Sequence, residues 1–421
     1  MKASWHSHRT RTLWLVGMLH AFTHLYTVAL LPLYVQIQQD LKLGGIGRAT
    51  LLVTVMGLAY VLPSYSIGVL ADRFSRKKLL VGGLAMNAAG FLGLGLSPNY
   101  ATALIFAAVA GIGGSFYHPA ATALLSRLFP EARGRALGLA GVGASAGFFL
   151  GPLYSGWRAT AAASWRAPVL DLGILGLVGA LLFLWLADEE KSVSKPGPVS
   201  ASRTRKVPLF SSGRLWFFFL AATLILSLRD FAGQAMGTAS SLFLQKAHGY
   251  PPKHAGLALS CVFIMSAVSN PLFGHLSDKA RLRWAAAVLV CGAALAASIP
   301  HLGTALVIPA FLGYGFFFMA GYPITEAALM DSVPDAVRGR IFGLYMVFGG
   351  LIGNFSHWLV GEWVGALGPR AHSIPAYNSV FAVIGALIVV SVSALPFLGA
   401  LRKAEHMEAS STFPDTTPRT F

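Results

Sequence analysis

Acidic residues are scarce in this sequence: 16 Asp and Glu stand against 32 Lys and Arg, and only 11% of the 421 residues are charged. A chain that is 55% hydrophobic cannot dress a water-facing surface of that size with so little charge, which excludes a soluble globular fold. Cysteine is nearly absent: Cys261 and Cys291 both fall in apolar runs, so no disulfide framework holds the chain. The sequence Gly-x-x-x-x-Gly-Lys-Ser/Thr does not occur, which removes phosphate-loop nucleotide hydrolysis as an energy source. The first hydrophobic segment is too long for a signal-peptide core and has no small-residue cleavage site after it, so it reads as a retained helix.

What is present is a series of long uncharged runs. Leu13 to Gln39 and Ala49 to Ala71 contain no Asp, Glu, Lys or Arg, and Leu79 to Ser126 is a 48-residue uncharged run interrupted by Ser97, Pro98 and Asn99. A helix crosses the hydrocarbon core in about 20 residues, so that last run makes two spans joined by a tight turn. Further spans follow at 136–157, 170–187, 215–245, 255–277, 285–300, 303–330, 341–361 and 375–401, which makes twelve. The expected fold is an all-α membrane protein.

The net charge of +16 invites a nucleic-acid partner, but its placement argues against one. If the N-terminus is cytoplasmic, 24 of the 32 Lys and Arg fall in segments on that side, including the clusters at Arg73 to Lys78 and Lys191 to Arg214. This is the positive-inside bias, and it puts both termini in the cytoplasm. The Ala- and Gly-rich spans and short loops point to a bacterial inner membrane.

Residues 188–214 form the one long polar stretch, rich in Ser, Pro, Lys and Arg, and read as a linker between bundles at 1–187 and 215–402, with a tail at 403–421. The two bundles repeat each other. Gly68, Asp72 and Arg73 recur as Gly274, Asp278 and Lys279 at an offset of 206; Pro119 and Pro130 recur as Pro323 and Pro334 at 204; Arg133 and Arg135 recur as Arg338 and Arg340 at 205. Parallel six-helix repeats about an axis along the membrane normal are the plan of one large transporter class, with the substrate site between the halves.

Gly68-x-x-x-Asp72-Arg73-x-x-Arg76-Lys77 resembles the loop between the second and third helices of the major facilitator superfamily. The resemblance implies twelve helices in two pseudo-symmetric bundles, with Asp72 latching the cytoplasmic side; a carboxylate at a helix end gains from the dipole and from charge-assisted hydrogen bonds. Gly274, Asp278 and Lys279 would do the same in the second half. The run from Gly111 to Pro119, with Gly113 and His118, is similar to that of fosmidomycin-resistance-type exporters. That branch carries His-x-x-x-Asp in its first helix, where this chain has His20 and His24 and no acid. Gly143, Gly147, Gly151, Pro152 and Gly156 resemble the glycine-proline motif of drug/proton antiporters; helices approach closely over such residues. The arginine that many of those antiporters place in the fourth helix is absent.

Ionisable groups inside spans are costly and face a cavity or a partner. Asp230 and Glu326 are the carboxylates that qualify, and Arg229 is the intramembrane cation. Arg229 lies roughly 20 Å into its span by helical rise, at the level of His20 and His24 under the repeat. It suits an anionic substrate group, or else a structural partner in the other half. Asp230, about 100° away around the helix, need not share that partner and suits proton coupling. For Glu326 a salt bridge competes with proton carriage. His20 and His24 share one helix face and fit proton relay, substrate binding or structural hydrogen bonding; two ligands alone make metal binding the weakest reading, and no metal or cofactor is expected. Tyr117, Tyr314, Tyr322 and Phe316 to Phe318 are candidates for an aromatic cavity wall.

These residues imply a monomeric secondary transporter that exports a small organic compound against protons by alternating access in the lipid bilayer. Proton-driven uptake of an anionic metabolite is the alternative. An intramembrane enzyme built on His20, His24, His118 and Asp230, or a sensor of the same fold, fits the two-half repeat poorly.

Overall fold

In hydrocarbon each backbone N–H and C=O must be satisfied inside the protein, so a chain of open apolar segments resolves into helices. The computed structural model describes residues 7–188, 208–334 and 337–412, and among these it is helical with no strand. The spans are α1 (His8–Asp40), α2 (Ile46–Ala71), α3 (Arg76–Leu96), α4 (Tyr100–Leu128), α5 (Arg133–Ala162), α6 (Arg166–Leu186), α7 (Gly213–Ala247), α8 (Pro252–Ser277), α9 (Arg281–His301), α10 (Thr304–Met330), α11 (Arg338–Ala366) and α12 (Ile374–Glu405). Twelve spans are what the uncharged runs predict. α11 is the least apolar, carrying Asn354, Ser356, His357 and Glu362 within its 29 residues.

Prolines set the interruptions. Pro119 cannot donate to the Ser115 carbonyl, and α4 breaks there, between helical segments Tyr100–Ser115 and Tyr117–Leu128. Pro32 and Pro63 mark the breaks in α1 and α2, and Pro396 the one in α12. Helix starts are capped where the chain turns: Asn99 accepts from the Thr102 N–H at 3.0 Å, and Ser75 accepts from Lys78 at 3.3 Å. Most of the expected linker lies outside the described residues, while the expected tail begins as helix, Ala394–Thr412.

Polar pairs tie each half together. Asp40 of α1 takes Trp165 Nε1 at 2.9 Å and Arg166 at 2.8 Å, and the same guanidinium donates to the carbonyls of Gly95 and Ser97, so one arginine gathers α1, α3 and α6. Asp171 of α6 holds Arg158 of α5 at 2.6 Å.

The main contacts between the halves among the described residues gather at one end. α2 packs on α11 and α5 on α8, all through the ends remote from the chain termini. Thr54 donates to the Asn354 carbonyl at 2.9 Å and accepts from the Trp358 N–H at 3.0 Å. Ser260 donates to the Phe149 carbonyl at 2.7 Å, and the Lys253 N–H to Thr160 at 2.9 Å. Tyr34 reaches Thr238 at 3.2 Å, which in turn meets His357 Nδ1 at 2.7 Å; Ser241 donates to the Leu31 carbonyl. Toward the termini the same helices expose Leu62, Tyr65 and Val69 of α2, Val142 of α5, Val268 and Leu272 of α8, and Met346 of α11. The result is a cleft closed at the far end and open on the side of the termini.

Candidate functional site

Two polar clusters lie among the spans, one in each half. In the N-terminal half, His20 and His24 sit one turn apart on α1, and their Nε2 atoms are 3.1 Å apart. The His20 Nδ1 lies 2.9 Å from the Ala140 carbonyl of α5. A carbonyl only accepts, so His20 carries its proton on Nδ1 and turns the Nε2 lone pair to His24. His118, just past the break in α4, closes the group, its ring centroid 5.2 Å from that of His20 and 5.6 Å from that of His24. Its ring is open to the cleft. The break itself lies two residues earlier, at Phe116, and His118 stands in the first turn of the helical segment that follows it.

The aromatics around this cluster are packing groups. Tyr117 stacks on His20 at 4.5 Å, but its hydroxyl donates to the Val16 carbonyl and its ring is buried in the half. Phe148 lies against His24 at 4.4 Å and stacks on Phe263 across the interface at 5.1 Å. Tyr314 is buried and stacked on Phe318, and Phe316 and Phe317 pack on Phe273. None of these forms the aromatic cavity wall expected from sequence.

In the C-terminal half, Arg229 is 1% exposed and four of the five N–H groups of its guanidinium have partners. Nε and Nη2 donate to one oxygen of Asp230 at 3.1 and 2.6 Å, Nη2 also donates to Tyr345 at 2.8 Å, and Nη1 donates to Thr325. The Tyr322 ring lies beneath it, 4.1 Å from Cζ, where a cation gains from the ring face. Arg229 and Asp230 pair with each other, the arginine side chain being long enough to turn back across the 100° between neighbours. The expected structural partner in the other half is corrected: Thr325, Tyr345 and Tyr322 of α10 and α11 hold Arg229 inside its own half, and its Nε–Nη2 edge is taken by Asp230. Asp230 keeps a second oxygen, which faces Gly349 of α11. Glu326 of α10, half-buried, lies within electrostatic range of both charges yet forms neither hydrogen bond nor ion pair among the described residues. The salt bridge that competed with proton carriage for Glu326 is not there.

The glycine-proline motif of α5 divides its work. Gly143 and Gly147 lie against the Gly17 and Ala21 carbonyls of α1, and Gly151 against Leu25 and Val28, all within one half. Pro152 and Gly156 instead meet Gly256 and Pro252 of α8 across the closed end. At Gly156 and Gly256 a methyl group would fall inside the opposing backbone, so the helices touch there because no side chain intervenes.

The repeated loops lie at the open end. Gly68 stands free of neighbours within its segment Ser64–Arg73, as Gly274 does in Ser266–Ser277. Arg73 is exposed, whereas Arg76 and Lys77 are buried at the start of α3. The side chain of Asp72 lies outside the described residues. Asp278 is 64% exposed and reaches Arg281 at 3.7 Å; Arg281 holds Asp331 more closely, at 3.2 Å, and Lys279 lies in the turn between them. Sequence reasoning missed Tyr345, Thr325, and the Tyr34–Thr238–His357 chain. Thr325 adjoins Glu326 in the sequence and His357 is an ionisable residue inside a predicted span, so both left a signal; the hydroxyls of Tyr34, Thr238 and Tyr345 left none as direct.

Residues 13–357 match the model of the Major Facilitator Superfamily. The multidrug resistance protein MdtH of Shigella dysenteriae serotype 1 is 24% identical over 320 residues, spanning 72% of this chain and 74% of that protein. MdtH of Escherichia coli O9:H4 is 24% identical over 321 residues with the same coverage. Among solved structures, a bacterial homologue of the human lysosomal transporter Spinster, inward-facing and unoccupied, superposes with a TM-score of 0.79 at 16% identity, over 96% of this chain and 98% of that one. A mutant of the nucleoside transporter NupG gives a TM-score of 0.71 at 15% identity, over 92% and 99%.

Proposed function

The chain belongs to the major facilitator superfamily, a family of transporters and not of enzymes, and from that premise we propose that it exports small organic compounds in exchange for protons across a bacterial cytoplasmic membrane. The observation that carries the coupling is Glu326: a half-buried carboxyl near the C-terminal end of α10, without an ion-pair partner among the described residues, beside the Arg229–Asp230 pair. An unpaired carboxylate among membrane helices is costly when charged. With Glu326 protonated the three groups are electrically neutral; without the proton they carry one net negative charge. Proton binding therefore changes the cost of closing this region away from water, which is the differential energy an alternating-access cycle needs.

Export of drug-like compounds is supported by the MdtH relatives, whose name is that of multidrug resistance proteins, and by the glycine-proline contacts between α5 and α8. The rival reading, uptake of an anionic metabolite anchored by Arg229, is weakened because the guanidinium already pairs with Asp230 of its own half and is 1% exposed. The excess of Lys and Arg on the side of the termini supports a cytoplasmic position for the open end, which would make the cleft inward-facing.

In energised inverted vesicles, a transported compound should partly collapse the inside-acid pH gradient. Glu326→Gln should abolish that collapse while leaving substrate binding and substrate–substrate exchange in place. Undiminished proton flux in the glutamine variant would overturn the assignment of Glu326, and a wild-type protein that transports with no pH dependence would overturn proton coupling itself.

A further inference from the structure

We propose that His20, His24 and His118 form a binding site for one late first-row divalent metal ion, of the zinc(II) or cobalt(II) class, on the cleft-facing wall of the N-terminal half. The site rests on this half alone and is independent of Glu326.

One ring nitrogen from each of the three histidines lies within 4.8 Å of the others. Two nitrogens bound to a tetrahedral zinc ion at 2.0–2.1 Å stand about 3.3 Å apart, and the Nε2 atoms of His20 and His24 are already separated by 3.1 Å. His118 then has to close by on the order of 1 Å or slightly more, at a break in α4 where the backbone ladder is already interrupted.

The second observation is the orientation of His20. Its Nδ1–H is tied to the Ala140 carbonyl at 2.9 Å, the arrangement found behind metal-ligating imidazoles, where one ring nitrogen is held by a backbone carbonyl and the other is left free to coordinate. Without an ion, the two facing Nε2 atoms can be satisfied only by a proton of His24 lying between them. An ion in the same place takes both lone pairs once that proton moves to His24 Nδ1, and no charge is lost from either ring.

No Asp, Glu or Cys joins the cluster among the described residues. Three neutral imidazoles suit zinc, cobalt, nickel or copper and are a poor match for calcium or magnesium, which take oxygen ligands. Three protein ligands also leave the fourth position open, as in hydrolytic zinc sites. Here that position faces the cleft beside His118, and because the protein supplies no anion, an anionic oxygen donor or water from the cleft must complete the shell.

The test uses the full chain, purified without a histidine tag, stripped with chelator and titrated with cobalt(II) alone. The expected result is one ion per chain, with the intense visible bands of a tetrahedral complex. His24→Ala, His118→Ala and the non-ligating His118→Gln should each weaken binding by at least about 100-fold, beyond the 10–100-fold that loss of an outer-shell partner brings. Changing the exposed His301 or His372 to Ala should leave binding unchanged. Each variant is checked for monodispersity and thermal stability, so that the glutamine variant carries the result if an alanine variant misfolds. Absence of a saturable one-to-one complex in the wild-type protein, or unchanged affinity in folded His24→Ala and His118→Gln, would overturn the site.

Discussion

Removing the Arg229 guanidinium tests whether it serves the fold or the substrate. In Arg229→Ala, Asp230 loses the cation that meets it at 2.6 Å, Tyr345 and Thr325 lose their donor, and a void opens above the Tyr322 ring. Breaking a buried pair by deleting one partner costs about 3–5 kcal/mol, because the other charge stays behind unpaired. At 1.4 kcal/mol per decade that is roughly a 10²- to 10⁴-fold fall in the folded-to-unfolded ratio. Arg229→Lys keeps the charge but cannot reach Asp230, Tyr345 and Thr325 together, so it should fall between alanine and wild type. The decisive variant is the double change Arg229→Met with Asp230→Asn. It leaves no uncompensated charge, so most of the lost stability should return, as replacement of buried ion pairs by neutral groups often allows. Thermal unfolding of detergent-solubilised protein, with and without transported compound, reads all three. A folded Arg229→Ala protein of wild-type stability that has lost only its ligand response would refute the structural reading and restore Arg229 as a substrate anchor.

Two further outcomes follow from the gates. Gly256→Val pushes a branched side chain into the Pro152 backbone at the closed end; overpacking of this kind costs about 1–3 kcal/mol, a shift of about 5- to 150-fold toward the state open at that end. With Cys261 and Cys291 replaced by serine, a cysteine at Thr54 should then react faster with an impermeant thiol reagent added from the side remote from the termini, and an unchanged rate would show that this contact does not hold the end closed. For the loops at the other end, we propose a latch role for Asp72: Asp72→Asn should slow transport sharply at normal protein levels. Asp278→Asn should be mild, since a pair as exposed as that of Asp278 is worth about 0–1 kcal/mol. Wild-type transport rates in both variants would remove gating from these loops.

What could be read from order along the chain was read correctly. The uncharged runs became spans, the interruption at Ser97 to Asn99 became the turn between α3 and α4, and the offset near 205 became two bundles of matching plan. What could not be read depends on side chains that meet from different helices. Spacing put Arg229 and Asp230 on different faces and so parted them, because it counts Cα directions and takes no account of how far a guanidinium can turn back. Spacing likewise put Tyr117 beside the histidines but gave no warning that Val16 would take its hydroxyl. The third histidine was within reach of the repeat: the offset of 204 that matches Pro119 with Pro323 also matches His118 with Tyr322, and Tyr322 lies under Arg229 as His118 lies beside His20. Carried to side-chain level, the repeat would have predicted one cluster per half on equivalent helices, α1 with α4 and α7 with α10. Only the scaffold is duplicated, however. One half holds neutral imidazoles open to the cleft, and the other a charged pair sealed within it. On the proposed coupling, a proton arriving at Glu326 would act on the C-terminal half and reach the other through the contacts that join them: α2 on α11, α5 on α8, and the hydrogen bonds from Thr54, Ser260 and Tyr34. Those bonds, each worth about 0.5–1.5 kcal/mol net, are of the right size to be broken and remade by one protonation event, and the proposed coupling would run through them.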